Sequence, residues 1–353
     1  MKKEILHVVE CFSGGVYDFI VSLVNGLPEF NHTILYAKRE NFKENFKDDF
    51  SEKIKFIHWK NASREISLKK DFLAGKELYN ILSEKKYNNI HLHSSKAGFI
   101  GRVVGRIKNQ QNKVLYTTHG VSFLRKDVSN FKNRLYILFE KIGMYMGGEI
   151  LACSKSEAEF MRNKGIKRAN YIFNGIEIPR ELPKIKKNKN IINIVTVGRI
   201  TTPKNPKQFN EIAEQFLDNK KIKFTWIGDG ELRDELKSSN INITGWKNQH
   251  EVLEELCKGD IYLSTSLWEG LPLSVLQAMS VELPLVLSDC IGNIDLIDEE
   301  KNGYIFQEIN GAVNNIKKLI TYNLVEKGEH SKRKVKKLEI SIMTNKYRKK
   351  YIL

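Results

Sequence analysis

Several common signatures are missing from this 353-residue chain. No Gly-x-Gly-x-x-Gly follows the first apolar run, which argues against a dehydrogenase. No stretch approaches the roughly 18 uninterrupted apolar residues of a membrane-crossing helix. The short run at Glu4–Cys11 is too brief for a secretion signal and reads as a first strand. Cys11, Cys153, Cys257 and Cys290 are scattered without paired spacing, so buried, reduced thiols are expected rather than disulfides or zinc ligands. There is no Asp-x-Asp pair and no His/carboxylate cluster, so neither a metal nor a cofactor is expected. Internal repeats are absent as well. These absences leave a cytoplasmic globular protein, at most touching the inner face of the cell membrane.

What is present is length, basic charge and a rhythm. A chain this long exceeds one ordinary core, so two domains are expected. The Pro- and Lys-rich stretch at residues 179–190 has little to bury and marks the boundary. That divides residues 1–180 from 181–334, with a terminal helix near 335–353 that packs back on the first domain. The net charge of +16 suits acidic small substrates, an anionic membrane or nucleic acid. No aromatic-plus-basic platform supports nucleic acid. The tail from Ser331 interleaves Lys and Arg with Met343, Tyr347 and Tyr351. It reads as a packed terminal helix or as a basic amphipathic helix on anionic lipid.

Short apolar runs alternate with helical periodicity throughout, which predicts two doubly wound α/β halves with parallel sheets. The stretch Ser264–Asp289 is the clearest unit: a polar elbow at Ser264–Gly270 follows a strand, Pro272 opens a helix, and Leu283–Leu287 makes the next strand. Ser274 and Gln277 share one helix face. An uncapped helix N-terminus at such an elbow attracts an anion. Gly198, Arg199 and Lys204 follow another strand, and two fixed cations there suit a diphosphate. In the first half, Gly14 and Gly15 let backbone approach a ligand. His119 closes a strand at the end where open parallel sheets bind ligands. His91 and His93 are expected to face opposite sides of their strand and so not to share a metal. Arg102 and Arg106 share a helix face read as solvated, with phosphate contact the alternative. Ser154 and Glu157 form a capping-box pattern.

Together, Gly14-Gly15-Val16, HLHSSKAGFIGR at His91–Arg102, YTTHG at Tyr116–Gly120, NGI at Asn174–Ile176, VGRI with PKNP at Val197–Pro206, GDGELR at Gly228–Arg233 and EGLPLSVLQAM at Glu269–Met279 resemble retaining glycosyltransferase family 4. The order and spacing of the motifs, over nearly the whole chain, carry the resemblance. It implies the GT-B fold, with two Rossmann-like domains facing a cleft, and transfer from a nucleotide-diphosphate sugar to a glycan or lipid-linked acceptor of a bacterial capsule or O-antigen. Arg199 and Lys204 would hold the donor diphosphate, and Glu269 the donor sugar hydroxyls. Gly198, Gly270, Leu271, Pro272, Leu273 and Ser274 would line the donor, with Gly15 closing on the phosphate. His119 would stand beside the transferred sugar, and His93, Ser94 and Lys96 on the acceptor side. One position departs: the second Glu of the Glu-x7-Glu motif, which binds the ribose, is Gln277 here. Gln keeps an acceptor and gains a donor, so retained activity with weakened or altered nucleotide preference is expected. A sugar-nucleotide epimerase on the same fold and an inactive partner subunit are the alternative readings.

Overall fold

A computed structural model describes residues 2–38, 43–51, 54–63, 67–185, 188, 190–321 and 324–353. Three positions of the expected boundary stretch, 186, 187 and 189, therefore lie outside the described residues. The chain divides into two compact units, each with its own sheet.

The first unit holds residues 1–124, 128–175 and 340–353. Its strands are β1 (Glu4–Val9), β2 (Asn31–Tyr36), β3 (Lys55–His58), β4 (Asn89–His93), β5 (Val114–Thr117), β6 (Glu149–Ala152) and β7 (Ala169–Tyr171). Its helices are α1 (Gly14–Asn25), α2 (Leu68–Glu84), α3 (Ser95–Ile107), α4 (Asn130–Met146) and α5 (Lys155–Asn163). The order β3-β2-β1-β4-β5-β6-β7 is parallel throughout. Central strands such as β1 and β5 are almost wholly buried, as a sheet covered on both faces requires.

The second unit runs from Ile176 to Glu339 and also takes in Arg125–Asp127. It contains β8 (Ile192–Val197), α6 (Pro206–Glu214), β9 (Ile222–Ile227), β10 (Ile241–Ile243), α7 (Gln249–Cys257) and β11 (Ile261–Ser264). Then come α8 (Leu273–Ser280), β12 (Leu285–Ser288), α9 (Asn293–Leu296), β13 (Gly303–Phe306), α10 (Ile309–Thr321) and α11 (Leu324–Val335). The parallel order is β10-β9-β8-β11-β12-β13. Strand order reverses at β1/β4 in one sheet and at β8/β11 in the other. Open parallel sheets bind ligands at such switch points, beyond the strand carboxyl ends.

The basic tail is two helices, not one. After α11 a tight turn at Lys336–Leu338 leads to α12 (Ile340–Ile352), which belongs to the first unit. Met343, Tyr347 and Tyr351 are buried against α1 and the sheet. The Tyr351 hydroxyl meets His91 Nδ1 at 2.6 Å, His91 Nε2 meets Thr117 Oγ1 at 2.7 Å, and Thr117 meets the Tyr347 hydroxyl at 3.0 Å. The aromatic face of the tail is therefore packed inside the protein rather than on lipid. Among the described residues no helix is long and apolar enough to cross a membrane, and all four cysteines are free thiols.

Candidate functional site

At the switch point of the second sheet, two loops are stitched together. One follows β8 and carries Gly198, Arg199 and Lys204; the other is the elbow after β11. The Thr265 hydroxyl lies within hydrogen-bond reach of the carbonyls of Lys204, at 2.8 Å, and Asn205, at 3.1 Å. The amide of Leu267 donates to the carbonyl of Pro203 at 2.8 Å. Ser288 Oγ, at the end of β12, donates to the Ser266 carbonyl at 2.6 Å. The stitching sets Lys204 Nζ 2.6 Å from Glu269 Oε1, and Ser266 Oγ donates to the same oxygen at 2.8 Å. Burial works against the charge of Lys204, but Glu269 beside it outweighs that and holds its pKa above the usual lysine range. Among the described residues no carboxylate pairs with Arg199, which is half-buried.

Beyond Glu269, Leu271 and Pro272 are buried while Leu273, Ser274 and Gln277 are half-exposed. Pro272 takes the N-cap position with extended backbone, one residue before the helix rather than in its first turn. The amides of Val275 and Leu276 bond back to the Pro272 carbonyl, at 3.1 and 3.3 Å, so those of Leu273 and Ser274 make up the leading end of α8. Gly292, at φ +84°, closes against this segment: a Cβ there would fall 2.6 Å from the Gly270 carbonyl oxygen.

In the first unit the positive φ of the loop after β1, +56°, sits at Gly14, and, its chain neighbours and the backbone of α1 aside, no atom of the described residues lies within 4 Å of where its Cβ would stand. Gly15 is exposed in the first turn of α1. His119, after β5, also has a positive φ, of 54°. The buried carboxylate of Glu157 holds that turn, accepting from Thr118 Oγ1, the Val121 amide and the Cys153 amide, each at 2.8 Å. Glu157 therefore completes only half of the expected capping box: its amide donates to Ser154 Oγ, but its side chain serves the histidine turn instead. Burial raises its pKa, the hydrogen bonds opposing. Ser94 and Lys96 are half-exposed, and Lys96 is tied to Asp71 at 2.6 Å.

Three expectations need correction. Residues two apart in a strand share a face, so His91 and His93 point the same way, with ring centroids 4.1 Å apart. Together with His7 they bring ring nitrogens within 4.8 Å of one another, but all six of these nitrogens already have hydrogen-bond partners. His93 is fully buried and meets His119 at 3.0 Å, so it reaches a ligand only through that residue, not as an acceptor contact of its own. Arg102 is neither solvated nor open to phosphate: it is fully buried, paired with Glu140 at 2.7 Å and set against the Tyr116 ring.

A family model described as Glycosyltransferase Family 4 matches residues 13–180, and one described as glycosyl transferases group 1 matches residues 192–322. The chain is 31% identical over 273 residues to the UDP-Gal:alpha-D-GlcNAc-diphosphoundecaprenol alpha-1,3-galactosyltransferase of Escherichia coli, spanning 69% of this chain and 68% of that protein. It is 29% identical over 245 residues to the O-antigen biosynthesis glycosyltransferase WbnH of the same species, spanning 67% and 68%. Among solved structures, HepE of Anabaena in complex with UDP superposes over 99% of both chains with a TM-score of 0.77 at 15% identity, a likeness of fold.

Proposed function

The chain belongs to glycosyltransferase family 4, and on that premise we propose that it is a retaining enzyme moving a hexosyl or N-acetylhexosaminyl group from a UDP-sugar to a lipid-linked or glycan acceptor. It is a glycosyltransferase of bacterial surface-polysaccharide synthesis, on two parallel-sheet domains of the GT-B type. The observation that carries the finer reading is the Lys204–Glu269 pair, made across one switch point by the loops after β8 and β11, the first of which also carries Arg199, paired with no carboxylate among the described residues. UDP is favoured because the galactosyltransferase relative is named for UDP-Gal and the HepE structure holds UDP. A diphospholipid acceptor is favoured by the same relative's name.

The proposed chemistry is front-face displacement. The bond from the anomeric carbon to the donor phosphate oxygen breaks, and the acceptor oxygen bonds to that carbon on the same face. The acceptor proton passes to a donor phosphate oxygen. Arg199, Lys204 and the amides of Leu273 and Ser274 offset the charge that develops on the diphosphate, work that needs no metal ion. Lys204 and Ser266 both bond to Glu269 Oε1, which leaves Oε2 to accept from a donor sugar hydroxyl. His119 keeps the role the resemblance gives it, beside the transferred sugar.

The face that meets an anionic membrane in this reading is the outer side of α2 and α4, both of which pack on α3. Leu68, Phe72 and Tyr79 form an exposed stripe on α2, and Phe131, Leu138, Ile142 and Tyr145 one on α4. Lys69 and Lys76 flank the first stripe, Arg134 and Lys141 the second. Apolar side chains edged by cations fit the interface of an anionic bilayer, where a lipid-linked acceptor would lie.

The test is turnover of UDP-galactose, UDP-glucose and their N-acetyl forms with a GlcNAc-diphospholipid, the product's anomeric configuration being read by NMR. An α-linked product supports the proposal. An inverted linkage, or release of free sugar independent of acceptor, overturns it.

A further inference from the structure

Three of the histidines that the transfer chemistry leaves unused form a chain ending at His119. His32 stands on β2, His7 on β1 and His93 on β4, all on the sheet face covered by α1 and α12. His32 Nε2 lies 2.9 Å from the Leu27 carbonyl oxygen, and His32 Nδ1 lies 3.0 Å from His7 Nε2. His7 Nδ1 lies 3.1 Å from His93 Nε2, and His93 Nδ1 lies 3.0 Å from His119 Nε2. The last nitrogen, His119 Nδ1, faces Cys153 Sγ at 3.8 Å.

The protons in this chain have a direction. A carbonyl only accepts, so His32 must carry its hydrogen on Nε2. Burial pushes the pKa of each of the four rings down, His119 to about 3, so all are neutral and each has a single N–H. With Nε2 of His32 protonated, its Nδ1 accepts and His7 donates from Nε2. The same step repeats through His93 to His119. His119 therefore spends its one hydrogen on His93, and among the described residues its Nδ1 lone pair is opposed only by a thiol, a weak donor.

We propose that His93, backed by His7 and His32, is a positioning residue that holds His119 as its Nε2–H tautomer and so offers the transferred sugar an acceptor nitrogen, Nδ1. The proposal rests on the reading above only in taking His119 as a group that meets that sugar. A donor hydroxyl would replace the Cys153 thiol on Nδ1. A site lacking that acceptor would leave the hydroxyl unpaired, a loss comparable to one hydrogen bond.

Long-range 1H–15N NMR on histidine-labelled protein reads the tautomer directly. The expected wild-type spectrum shows His119 Nδ1 as an unprotonated ring nitrogen and Nε2 as protonated. In His93→Leu, which removes the acceptor, the two tautomers should mix, and kcat/KM for the sugar nucleotide should fall about tenfold. His93→Asn, whose side-chain oxygen can stand near the place of Nδ1, should restore the single tautomer and most of the rate. A protonated Nδ1 in the wild type overturns the proposal whatever the enzyme transfers, as does an unchanged tautomer in a folded His93→Leu. A mixed tautomer with undiminished transfer would remove the link to the sugar while leaving the family activity standing.

Discussion

Lys204 and Glu269, 65 positions apart in the chain, meet at 2.6 Å because Thr265 and Leu267 fasten one loop to the other. The pair couples the group assigned to the diphosphate with the group assigned to the sugar. Lys204→Ala removes a cation and leaves Glu269 without its partner. Turnover should fall by about 10²–10³, the scale of losing one preorganised electrostatic contact to a developing charge. Steady-state rates, with a melting curve to show that the variant folds, check this. Near-normal turnover would sink the assignment.

Gln277 and Ser274 lie three residues apart on the half-exposed side of α8. Gln277→Glu restores the charge that the family motif has at this position. A carboxylate accepts from hydroxyls more strongly than an amide does, so UDP affinity should rise by about three- to tenfold if this side chain meets the ribose. Titration calorimetry with UDP measures it. Equal affinity for wild type and variant would place the ribose elsewhere.

The alternation of apolar runs and helical periods made both parallel sheets legible, because strands buried on two faces must be continuously apolar. The elbow after β11 was legible from its flanks: Leu263 belongs to a buried strand and Val275 starts a buried helix side, so a polar loop must join them, although its Ser264, Thr265 and Ser266 turn out to be buried, the last two hydrogen-bonded to neighbouring segments rather than facing solvent. What pairing adds was not legible. Nothing in the local sequence distinguishes Arg102, which is buried, from Arg106, one turn later and exposed. The difference is Glu140, 38 residues away on α4. Nor could the sequence show that Glu157 serves the turn before Val121, since its three donors come from separated segments. The histidine chain carried a usable signal, the His-x-His spacing on β4, but that spacing had to be read as one strand face.

Arg102→Ala should destabilise the first unit by about 3–5 kcal/mol, since it strands the Glu140 carboxylate in the interior. The double variant Arg102→Met with Glu140→Leu removes both charges and should recover most of that loss. Urea unfolding followed by tryptophan fluorescence, with Trp59 of the first unit as the reporter and the other tryptophans replaced by Phe, separates the cases. A double variant no better than the single one would contradict it.

Phe131 and Tyr145 are 70% and 75% exposed on one side of α4. Replacing both with Glu puts charge into the stripe assigned to the bilayer. Co-sedimentation with vesicles rich in phosphatidylglycerol should drop about tenfold or more, and added salt should weaken the wild type's binding because flanking cations contribute. Transfer to a short, water-soluble acceptor should be unchanged. Equal co-sedimentation of variant and wild type would remove α4 from the membrane.

The buried imidazoles also set how the protein responds to acid. His7, His32, His91, His93 and His119 all have pKa values lowered by burial. Unfolded histidine takes up a proton near pH 6.5, whereas His119 in the folded chain waits until about pH 3. Below about pH 6.5 the unfolded state thus binds more protons, and each such ring removes up to about 1.4 kcal/mol of stability per pH unit as pH falls. Two carboxyl groups act in the opposite sense: Asp18, pushed up to about 6 by burial and by Asp49, and Glu157, raised by burial. Five histidines outnumber these two carboxyl groups, so unfolding should take up a net excess of protons near pH 5.5. Stability of the first unit should accordingly be level above pH 7 and drop steeply between pH 6.5 and 5. Denaturant midpoints across that range measure the slope. A flat profile would mean that the rings are charged in the folded state or reached by solvent, and the neutral hydrogen-bonded chain would not exist.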